Sequence, residues 1–283
     1  MYISFGLILF FCGGLSLYPR QTRKAPFFKM KNQRYFYDGL FRKETYASGE
    51  YHGNRADWVR EIIVKRELQT GHILEIGCGR GHLETIAPKY LGLDISLEAG
   101  RYLEKPFVCA STEALPFAGQ VFDVVMSFTV LEHLGEPELA LAEMDRILKK
   151  GGLLIVDAAW RVPPWRPLGL DVKPVKELSV FTKVLKACLP IFNPLWSKGF
   201  MRMPLRALRE LRFSLTHRFS PLPYTRMQPN WNEFLQRDSD AAASIDNHAC
   251  ALWLHSRGFV SQETGKMSQR VALRCGPLIM VKS

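Results

Sequence analysis

Apolar runs of strand length alternate with amphipathic stretches through the middle of the chain. Five runs rich in Val, Ile, Leu and Phe predict strands, and they cover residues 72–76, 90–95, 107–110, 121–128 and 153–158. Apolar residues at helical spacing predict helices over 55–68 and 136–148, and shorter ones over 82–87 and 96–103. This alternation predicts an α/β fold with a mostly parallel sheet and helices on both faces.

Several of these elements have predictable ends. Pro88 ends the helix over 82–87, and Ser96 is a natural N-cap for the helix that follows it. The segment Lys149-Lys150-Gly151-Gly152 predicts a glycine C-cap for the helix over 136–148.

The C-terminal part of the chain predicts a completion of the sheet. Residues 249–256 predict a helix. The segments 258–265 and 270–283 then predict two terminal strands, which form an antiparallel hairpin at the sheet edge.

A composition shift follows the fifth predicted strand. Residues 160–237 hold 14 of the 38 Lys and Arg but only 4 of the 27 Asp and Glu, together with 10 of the 17 prolines. The net charge of +11 therefore resides almost entirely in this basic, Pro-rich insertion. Four interpretations remain open: a substrate lid over a pocket, an amphipathic surface for anionic lipid, an RNA-binding patch, or a solvated face.

Large apolar residues are interleaved with these charges. One set predicts a single apolar surface and comprises Phe181, Val184, Leu185, Leu189, Ile191, Phe192, Leu195 and Trp196. A second set forms a helical stripe and comprises Leu205, Leu208, Leu211 and Leu215. The arginines that lie elsewhere around the same helix are Arg202, Arg206, Arg209 and Arg212.

The N-terminus carries an uncharged apolar run over residues 2–17, followed by Arg20, Arg23 and Lys24. As a helix the run would span about 24 Å, which is short for a bilayer core of about 30 Å. No basic residue precedes it, so it is a poor secretory signal. It is either an anchor that holds a cytoplasmic protein on the inner face of a membrane, a segment upstream of the start codon that is used, or a buried segment.

These shifts divide the chain into five segments. They are an apolar N-terminal segment, a lid or linker, an α/β core, the basic lid insertion and the C-terminal completion of the core, at 1–18, 19–54, 55–159, 160–237 and 238–283. The six cysteines are scattered without any Cys-x-x-Cys pair, which indicates reduced thiols of a cytosolic protein and no metal site.

A glycine-rich turn, "LEIGCGRG" at 74–81, follows the first predicted strand. A dinucleotide-binding turn would carry its third glycine at position 82, which is His82. Glu75 precedes the turn and would repel a pyrophosphate, whereas a cofactor with a positive amino group suits a carboxylate there. Asp94, at the end of the second strand, is placed to accept both hydroxyls of a ribose.

Five motifs in order carry a resemblance to a known family. The segments "LEIGCGRG", "LGLDIS", "STEALPF", "FDVVMSFTVLEHL" and "LKKGGLLIV" resemble the class I S-adenosylmethionine-dependent methyltransferases, most of all the methyltransferase type 11 branch. The match covers residues 73–157 and implies a Rossmann-like fold with S-adenosyl-L-methionine as cofactor. The branch resembles methyltransferases of small molecules, lipids and glycans more than those of nucleic acids.

The resemblance implies a set of cofactor-binding residues. They are Glu75, Gly77, Cys78, Gly79, Gly81, Asp94, Ile95, Ser111, Thr112, Glu113, Ser127 and Phe128. The glycine turn and Glu75 would border the methionine part, Asp94 the ribose and Ile95 the adenine, while Ser127 and Phe128 would face the sulfur. Ser111 stands where the family has an aspartate that meets the adenine, so Thr112 or Glu113 would share that contact.

Structural roles stand beside these functional ones. The glycines serve equally as turn formers, Glu75 as a partner of Arg80 and Asp94 as a helix cap. Methyl transfer from a sulfonium is an in-line displacement that needs alignment and exclusion of water, and a hydroxyl acceptor also profits from a general base. His133 is the candidate base, unless it ties its loop to backbone; Glu132 is a second candidate, and His52 a third if the N-terminal region closes over the cofactor.

The expected activity is therefore methyl transfer to a small-molecule or a lipid- or glycan-linked acceptor, at oxygen rather than elsewhere. The chain has no "NPPY" motif for attack by a base amino group, and no Pro-Cys motif for a thiolate nucleophile at the fourth strand. The alternatives are a non-catalytic cofactor-binding protein that uses its basic segment to bind a partner or membrane, or an RNA methyltransferase.

Overall fold

The computed structural model of the 283-residue chain describes residues 26–43, 54–198, 202–219, 221–261, 271 and 276–283. The apolar run at 2–17 and His52 lie outside the described residues. The same holds for the side chains of Leu195 and Trp196.

The helices and strands have the following bounds. The helices are α1 Pro26–Phe41, α2 Arg55–Lys65, α3 Pro137–Ile147, α4 Val180–Lys198, α5 Met203–Thr216 and α6 Asn247–His255. The strands are β1 Ile73–Ile76, β2 Tyr90–Asp94, β3 Phe107–Cys109, β4 Phe122–Phe128, β5 Leu148–Asp157, β6 Tyr224–Arg226, β7 Ala243–Ile245, β8 Phe259–Ser261 and β9 Leu278–Lys282.

Seven strands form the central sheet, in the order β3-β2-β1-β4-β5-β9-β8. The first five are parallel, and β9 and β8 pair antiparallel at one edge. The predicted mostly parallel sheet and its C-terminal hairpin are thereby confirmed. In an open sheet of this kind, ligands bind where the strand order reverses, outside the carboxyl ends of β1 and its neighbours.

Apolar residues of the strands alternate between two cores. Leu74 and Leu154 pack with α3 and α6, while their neighbours Ile73 and Ile155 pack with α2. All four of these side chains have no exposed surface. Helices therefore cover both faces of the sheet, which explains why its strands are apolar almost without interruption.

Three local predictions are wrong, namely two short helices and one helix N-cap. The expected helices at 82–87 and 96–103 are only short 3₁₀ turns, Glu84–Ile86 and Ala99–Tyr102. Ser96 caps no helix, since its hydroxyl donates a hydrogen bond of 2.6 Å to Asp38 of α1. Tertiary contact with α1 thus replaces the expected local cap.

The expected glycine C-cap after α3 is also wrong. The helix ends at Ile147, and Leu148 is already extended and paired with Phe122. The register then shifts, so that the next paired residue of β5 is Leu153, opposite Val124. The Lys-Lys-Gly-Gly segment is therefore an irregularity within the strand, and Gly151 adopts a φ of +74° there.

The basic insertion has a small core of its own. Five buried residues form it, namely Trp165, Leu170, Leu178, Leu185 and Leu189. The predicted single apolar surface of α4 is thus divided, because Phe181, Val184 and Ile191 stay exposed while Leu185 and Leu189 are buried. In the described part of the chain, no helix is both long and apolar enough to cross a bilayer.

Candidate functional site

The glycine turn after β1 is folded tightly against β2. The amides of Gly77 and Cys78 both donate to the carbonyl of Leu93, at 2.7 and 3.0 Å. Gly77 has a φ of +72°, and a Cβ there would lie 2.1 Å from Cγ2 of Val130. A side chain is therefore excluded by both the backbone conformation and the loop that follows β4.

A cavity of about 390 Å³ opens at the carboxyl ends of β1, β2 and β4. Ten of the twelve residues expected at the cofactor line it: Glu75, Gly77, Cys78, Gly79, Asp94, Ile95, Ser111, Thr112, Glu113 and Phe128. Gly81 and Ser127 are not among the lining residues. A Cβ on Gly81 would meet the side chain of Leu103, and Ser127 has no exposed surface.

Asp94 connects the glycine turn with the end of β2. One carboxylate oxygen accepts the amide of Gly79 at 3.1 Å, and the other accepts the amide of Ser96 at 2.9 Å. Burial raises the pKa of Asp94 to about 6, although these amides act in the opposite direction. The group is therefore ionised at neutral pH, and each oxygen retains acceptor capacity toward the cavity. The expected role as a ligand for hydroxyls is compatible with this geometry, whereas the alternative role as a helix cap is not met, because only the 3₁₀ turn Ala99–Tyr102 follows.

Glu75 lies beneath the same turn and is buried. Burial raises the pKa of Glu75 to about 8, while a hydrogen bond from the Tyr90 hydroxyl and the charge of Arg55 act to lower it. The expected pairing with Arg80 is absent from the ion pairs of the described residues, where the guanidinium of Arg80 instead donates to the carbonyl of Lys43 and stacks on Tyr102. An acid that is costly to ionise when alone favours a cationic group beside it.

The segment after β3 lines the neighbouring wall. The Ser111 hydroxyl accepts the amide of Glu113 at 3.2 Å, and the Glu113 carboxylate accepts the amide of Glu136 at 2.9 Å. Thr112 is buried between them. Glu113 is thus engaged with the start of α3, which leaves Ser111 and Thr112 as the polar side chains for an adenine; that contact stays a prediction.

His133 lies in a cluster of carboxylates at the other side of the cavity. Its Nδ1 is 3.2 Å from Oδ2 of Asp240, and its Nε2 is 3.7 Å from Oε1 of Glu132. Burial by itself would lower the pKa of His133, but Asp240, Glu132 and Asp238 outweigh it and raise the pKa. The imidazole can therefore take up a proton at this place and share its charge with the carboxylates.

Glu132 does not line the cavity. Its side chain is 1% exposed and accepts the amide of Ala159 at 3.0 Å, and its carbonyl accepts the amide of Ala242. Burial raises the pKa of Glu132, against the effect of His133. Its contacts are those of a residue that holds β5 and the segment before β7 together.

Two segments outside the five motifs complete the cavity. Helix α1 contributes Tyr37, whose hydroxyl donates to Oδ2 of Asp240 at 2.6 Å, and Gln33, whose amide donates to the carbonyl of His133 at 3.1 Å. The end of the insertion and the residues after it contribute Phe234, Arg237, Asp238 and Asp240. Sequence reasoning missed these residues; the acidic "DSD" directly after a basic insertion was their single visible signal.

Arg55 provides a positive charge at the cavity wall. Its guanidinium lies 4.7 Å from the ring centroid of Phe128 and 4.0 Å from the carboxylate of Asp157. Among the residues that the structure describes, no group of His, Cys, Asp and Glu could hold a metal ion. The described site consists of glycines, carboxylates, aromatic rings and one imidazole with raised pKa.

The fold and the site together define a class. A parallel sheet with a glycine turn after β1 and a carboxylate at the end of β2 is the architecture of α/β proteins that bind a nucleoside-containing cofactor at a switch point. The buried Glu75 beside the turn favours a cofactor that carries positive charge. S-adenosylmethionine has both properties, and Glu75, Gly77 and Asp94 fit it.

Comparisons with known proteins agree with this class. A family model described as a methyltransferase domain matches residues 74–156. A ubiquinone biosynthesis O-methyltransferase of Ruegeria sp. (strain TM1040) is 30% identical over 189 residues, which are 53% of this chain and 75% of that protein. The chain belongs to the class I S-adenosylmethionine-dependent methyltransferases, and the cofactor of this family is S-adenosyl-L-methionine.

Other similar proteins match over the same core. An uncharacterized protein of Methanocaldococcus jannaschii is 38% identical over 35% of this chain and 41% of its own length. The sugar N-methyltransferase KedS8 of Streptoalloteichus sp. is 26% identical over 52% of this chain and 59% of its own, with a TM-score of 0.36. The chain spans 41%, 47% and 51% of the length of three curated relatives that it matches, which is about half.

Proposed function

We propose that the protein transfers the methyl group of S-adenosylmethionine to a hydroxyl oxygen of a small-molecule or a lipid- or glycan-linked acceptor. One observation carries this proposal: a single cavity joins the cofactor-binding residues at β1 and β2 to an imidazole with raised pKa at His133. A cavity with both features suits transfer between two bound molecules rather than storage of one.

The cofactor end would work by position and charge. Asp94 would accept the ribose hydroxyls, and Glu75 would face the positively charged amino acid part of the cofactor. Phe128, under the guanidinium of Arg55, would form the apolar floor below the methyl group. When bound, the cofactor supplies a methyl carbon that is already activated by the sulfonium, so the chain mainly has to align it with an acceptor and exclude water.

The acceptor end would supply the base. A hydroxyl that attacks the methyl carbon must lose its proton, and neutral His133 would receive it. Asp240 and Glu132 would then stabilise the resulting imidazolium, because both lie within 4.0 Å of the ring nitrogens. Tyr37 would hold Asp240 in place through its hydrogen bond of 2.6 Å. The O-methyltransferase among the relatives supports oxygen as the methylated atom.

The insertion would select the acceptor. Phe234 and Arg237 of the insertion, with Asp238 and Asp240 directly after it, form one of the parts of the wall that lie outside the region shared with the family model. An insertion after the fifth strand that reaches the cavity has the placement of a substrate lid.

The test is transfer of radiolabelled methyl groups from S-adenosylmethionine to fractions of a cell extract. We expect label in a small-molecule, an organic-soluble or a glycan-containing fraction. The variant Asp94→Ala should lose this labelling, because two charge-assisted hydrogen bonds of about 1.5 kcal/mol or more each amount to on the order of 100-fold in cofactor affinity. The variant His133→Gln should bind the cofactor normally and lose transfer.

A matched control and two contrary outcomes complete this test. Asp123→Asn changes a carboxylate at the opposite end of β4, where it binds Lys149 and the amide of His72, and should leave transfer unchanged. Tight cofactor binding without any labelled fraction would indicate a non-catalytic cofactor-binding protein. Label confined to RNA would contradict the proposed acceptor.

A further inference from the structure

Helix α5 presents its leucines to solvent. Leu205, Leu208, Leu211 and Leu215 recur at intervals of three and four residues, so they share one side of the helix. They are 45%, 62%, 53% and 75% exposed. The predicted leucine stripe therefore exists, but it faces away from the protein.

The opposite side of α5 holds buried charges. Arg206 and Glu210 have no exposed surface. Arg206 binds both carboxylate oxygens of Asp246 at 3.0 and 2.5 Å, and Glu210 lies 3.1 Å from Nε2 of His248. Asp246 is the N-cap of α6 and His248 lies in its first turn. The Arg206–Asp246 ion pair and the Glu210–His248 hydrogen bond thus fix the rotation of α5 about its axis and direct the leucines outward.

This arrangement is the reverse of an ordinary surface helix. A helix that faces only water places its charges outward and its apolar stripe on the core. Full burial of a leucine is worth about 1.5–3 kcal/mol, and α5 forgoes about half to three quarters of this contribution at each of four positions along about 15 Å of helix. The leucine face is therefore complete only when another apolar body covers it.

Exposed positive charge accompanies the leucine face. Of the five arginines in residues 202–218, Arg206 is buried on the opposite side and Arg209 contacts Asp246, while the single acid, Glu210, is buried there as well. Arg212 is exposed, and at about 100° per residue it projects between Leu205 and Leu208. Arg218, just beyond the helix, is exposed as well. The exposed side is thus apolar and cationic at once.

We propose that the leucine face of α5 docks the protein on an anionic lipid bilayer. The leucines would enter the boundary between headgroups and acyl chains, and Arg212 and Arg218 would contact lipid phosphates. RNA fits less well, because its binding surfaces use aromatic stacking and polar contacts rather than an aliphatic stripe. A second copy fits less well because two cationic faces would meet. Docking does not depend on methyl transfer and goes beyond the proposed function.

The test uses the full chain with vesicles of phosphatidylcholine alone or with about one third phosphatidylglycerol. Flotation measures the bound fraction, and hydrogen–deuterium exchange of the peptides covering 203–216 shows whether α5 is the contact. The exchange of α5 has to be measured as well as flotation, because an anchor at residues 2–17, one of the expectations from the sequence, would also make the protein float with vesicles. We expect hydrogen–deuterium exchange in α5 to become slower with the anionic vesicles and to stay unchanged with the neutral ones. Added salt should remove the protection by the anionic vesicles.

Variants separate the leucine face from the rest of the surface. Leu208→Glu with Leu211→Glu should abolish the protection of α5 and reduce any partitioning that depends on it about tenfold or more. Arg212→Glu keeps all four leucines and should weaken the protection of α5 by anionic vesicles. The control Leu139→Glu alters a leucine on α3 that is 52% exposed, similar to Leu211, and should change nothing. Equal unfolding temperatures of all variants would show that the fold is retained.

Three results would overturn the proposal. The first is unchanged exchange of α5 in the presence of anionic vesicles. The second is protection of α5 that grows with protein concentration in the absence of lipid, which would identify a second copy as the cover. The third is protection that appears with RNA but not with vesicles.

Discussion

The central sheet and helix α5 solve the same burial problem in opposite ways. In the sheet, apolar side chains such as Leu74, Val125 and Ile155 are completely buried, and charged groups lie at the strand ends. Among them, Glu75 and Asp94 line the cavity. In α5, Arg206 and Glu210 are completely buried, and Leu208 and Leu215 are 62% and 75% exposed.

The difference shows that burial follows the available partners rather than hydropathy alone. Between the sheet and its helices, apolar surfaces meet from both sides, so close packing is sufficient. Against α6, the helix α5 meets Asp246 and His248, so its own charges are satisfied only when they face inward. The buried Arg206–Asp246 ion pair and the Glu210–His248 hydrogen bond therefore determine the orientation of α5, and its leucines face outward.

The largest expected effect comes from breaking the ion pair of α5. Arg206→Ala should lower the free energy of unfolding by about 3 to 5 kcal/mol, because it leaves the carboxylate of Asp246 buried without its bidentate partner. Leu208→Ala, on the exposed side of the same helix, should change it by less than about 0.5 kcal/mol. Urea unfolding measures both. Similar effects of the two variants would contradict an orientation of α5 in which Arg206 is buried and Leu208 is exposed.

A smaller effect sharpens the comparison between two buried carboxyls. Arginines lower the pKa of Asp246 in spite of its burial, whereas burial raises the pKa of Glu75 to about 8. Glu75 is therefore mostly protonated at pH 7 before a cation binds. Affinity for S-adenosylmethionine should rise with pH and level off above pH 8, by up to about tenfold from pH 7 to pH 8.5. Calorimetric titration measures this gain.

The matched variant for that titration is Glu75→Gln. It should remove the pH dependence over the same range and bind weakly throughout, because a neutral amide offers the cation no charge at any pH. A wild-type profile as flat as that of the glutamine variant would show that Glu75 is already ionised or does not face the cofactor.

The smallest expected effect concerns a third set of buried charges, at His133 and Asp240 beside the cavity. The pKa of His133 is raised by Asp240, Glu132 and Asp238 against the effect of burial, so a base role predicts that kcat/KM increases as pH rises through this value. Asp240→Asn should lower the pKa of His133 and move the inflection to lower pH, with a few-fold higher relative activity on the acidic limb.

Tyr37→Phe provides the control for this profile. It removes the hydrogen bond to Asp240 but no charge, so the inflection should keep its position while the maximal rate falls. If both variants shift the inflection equally, or neither does, His133 does not act as the titrating base. A structural role of Asp240 alone would change the rate without moving the profile.

Much of the fold was predictable because it is encoded locally. Apolar runs, broken by single acids such as Glu75 and Asp123, identified all five parallel strands, and the two C-terminal segments identified the antiparallel pair β8 and β9. The errors fell on the two short helices over 82–87 and 96–103, which are 3₁₀ turns, and on two helix caps. The expected Ser96 cap failed because α1 supplies Asp38 as a partner, and the glycine cap after α3 failed because Leu148 pairs with Phe122 in the sheet.

The residues of the site were likewise predictable only where they depend on local sequence. The glycine turn, Glu75 and Asp94 are adjacent to strands β1 and β2, so their meeting at one cavity followed from parallel strand pairing. Phe128 lines the cavity as expected, but its neighbour Ser127 is buried, because successive side chains of a strand point to opposite sides. A motif match cannot choose between two consecutive positions of this kind.

The sequence by itself determined the sheet, the glycine turn and the family, since each depends on residues that are close along the chain. Only the tertiary structure decided which distant groups meet. Tyr37 and Asp240 are 203 positions apart and share a hydrogen bond beside His133. Arg206 faces inward because it binds Asp246, which lies 40 positions further along the chain. The physical reason is that burial makes a charge depend on its partner, and the partner of a buried charge is chosen by the folded chain.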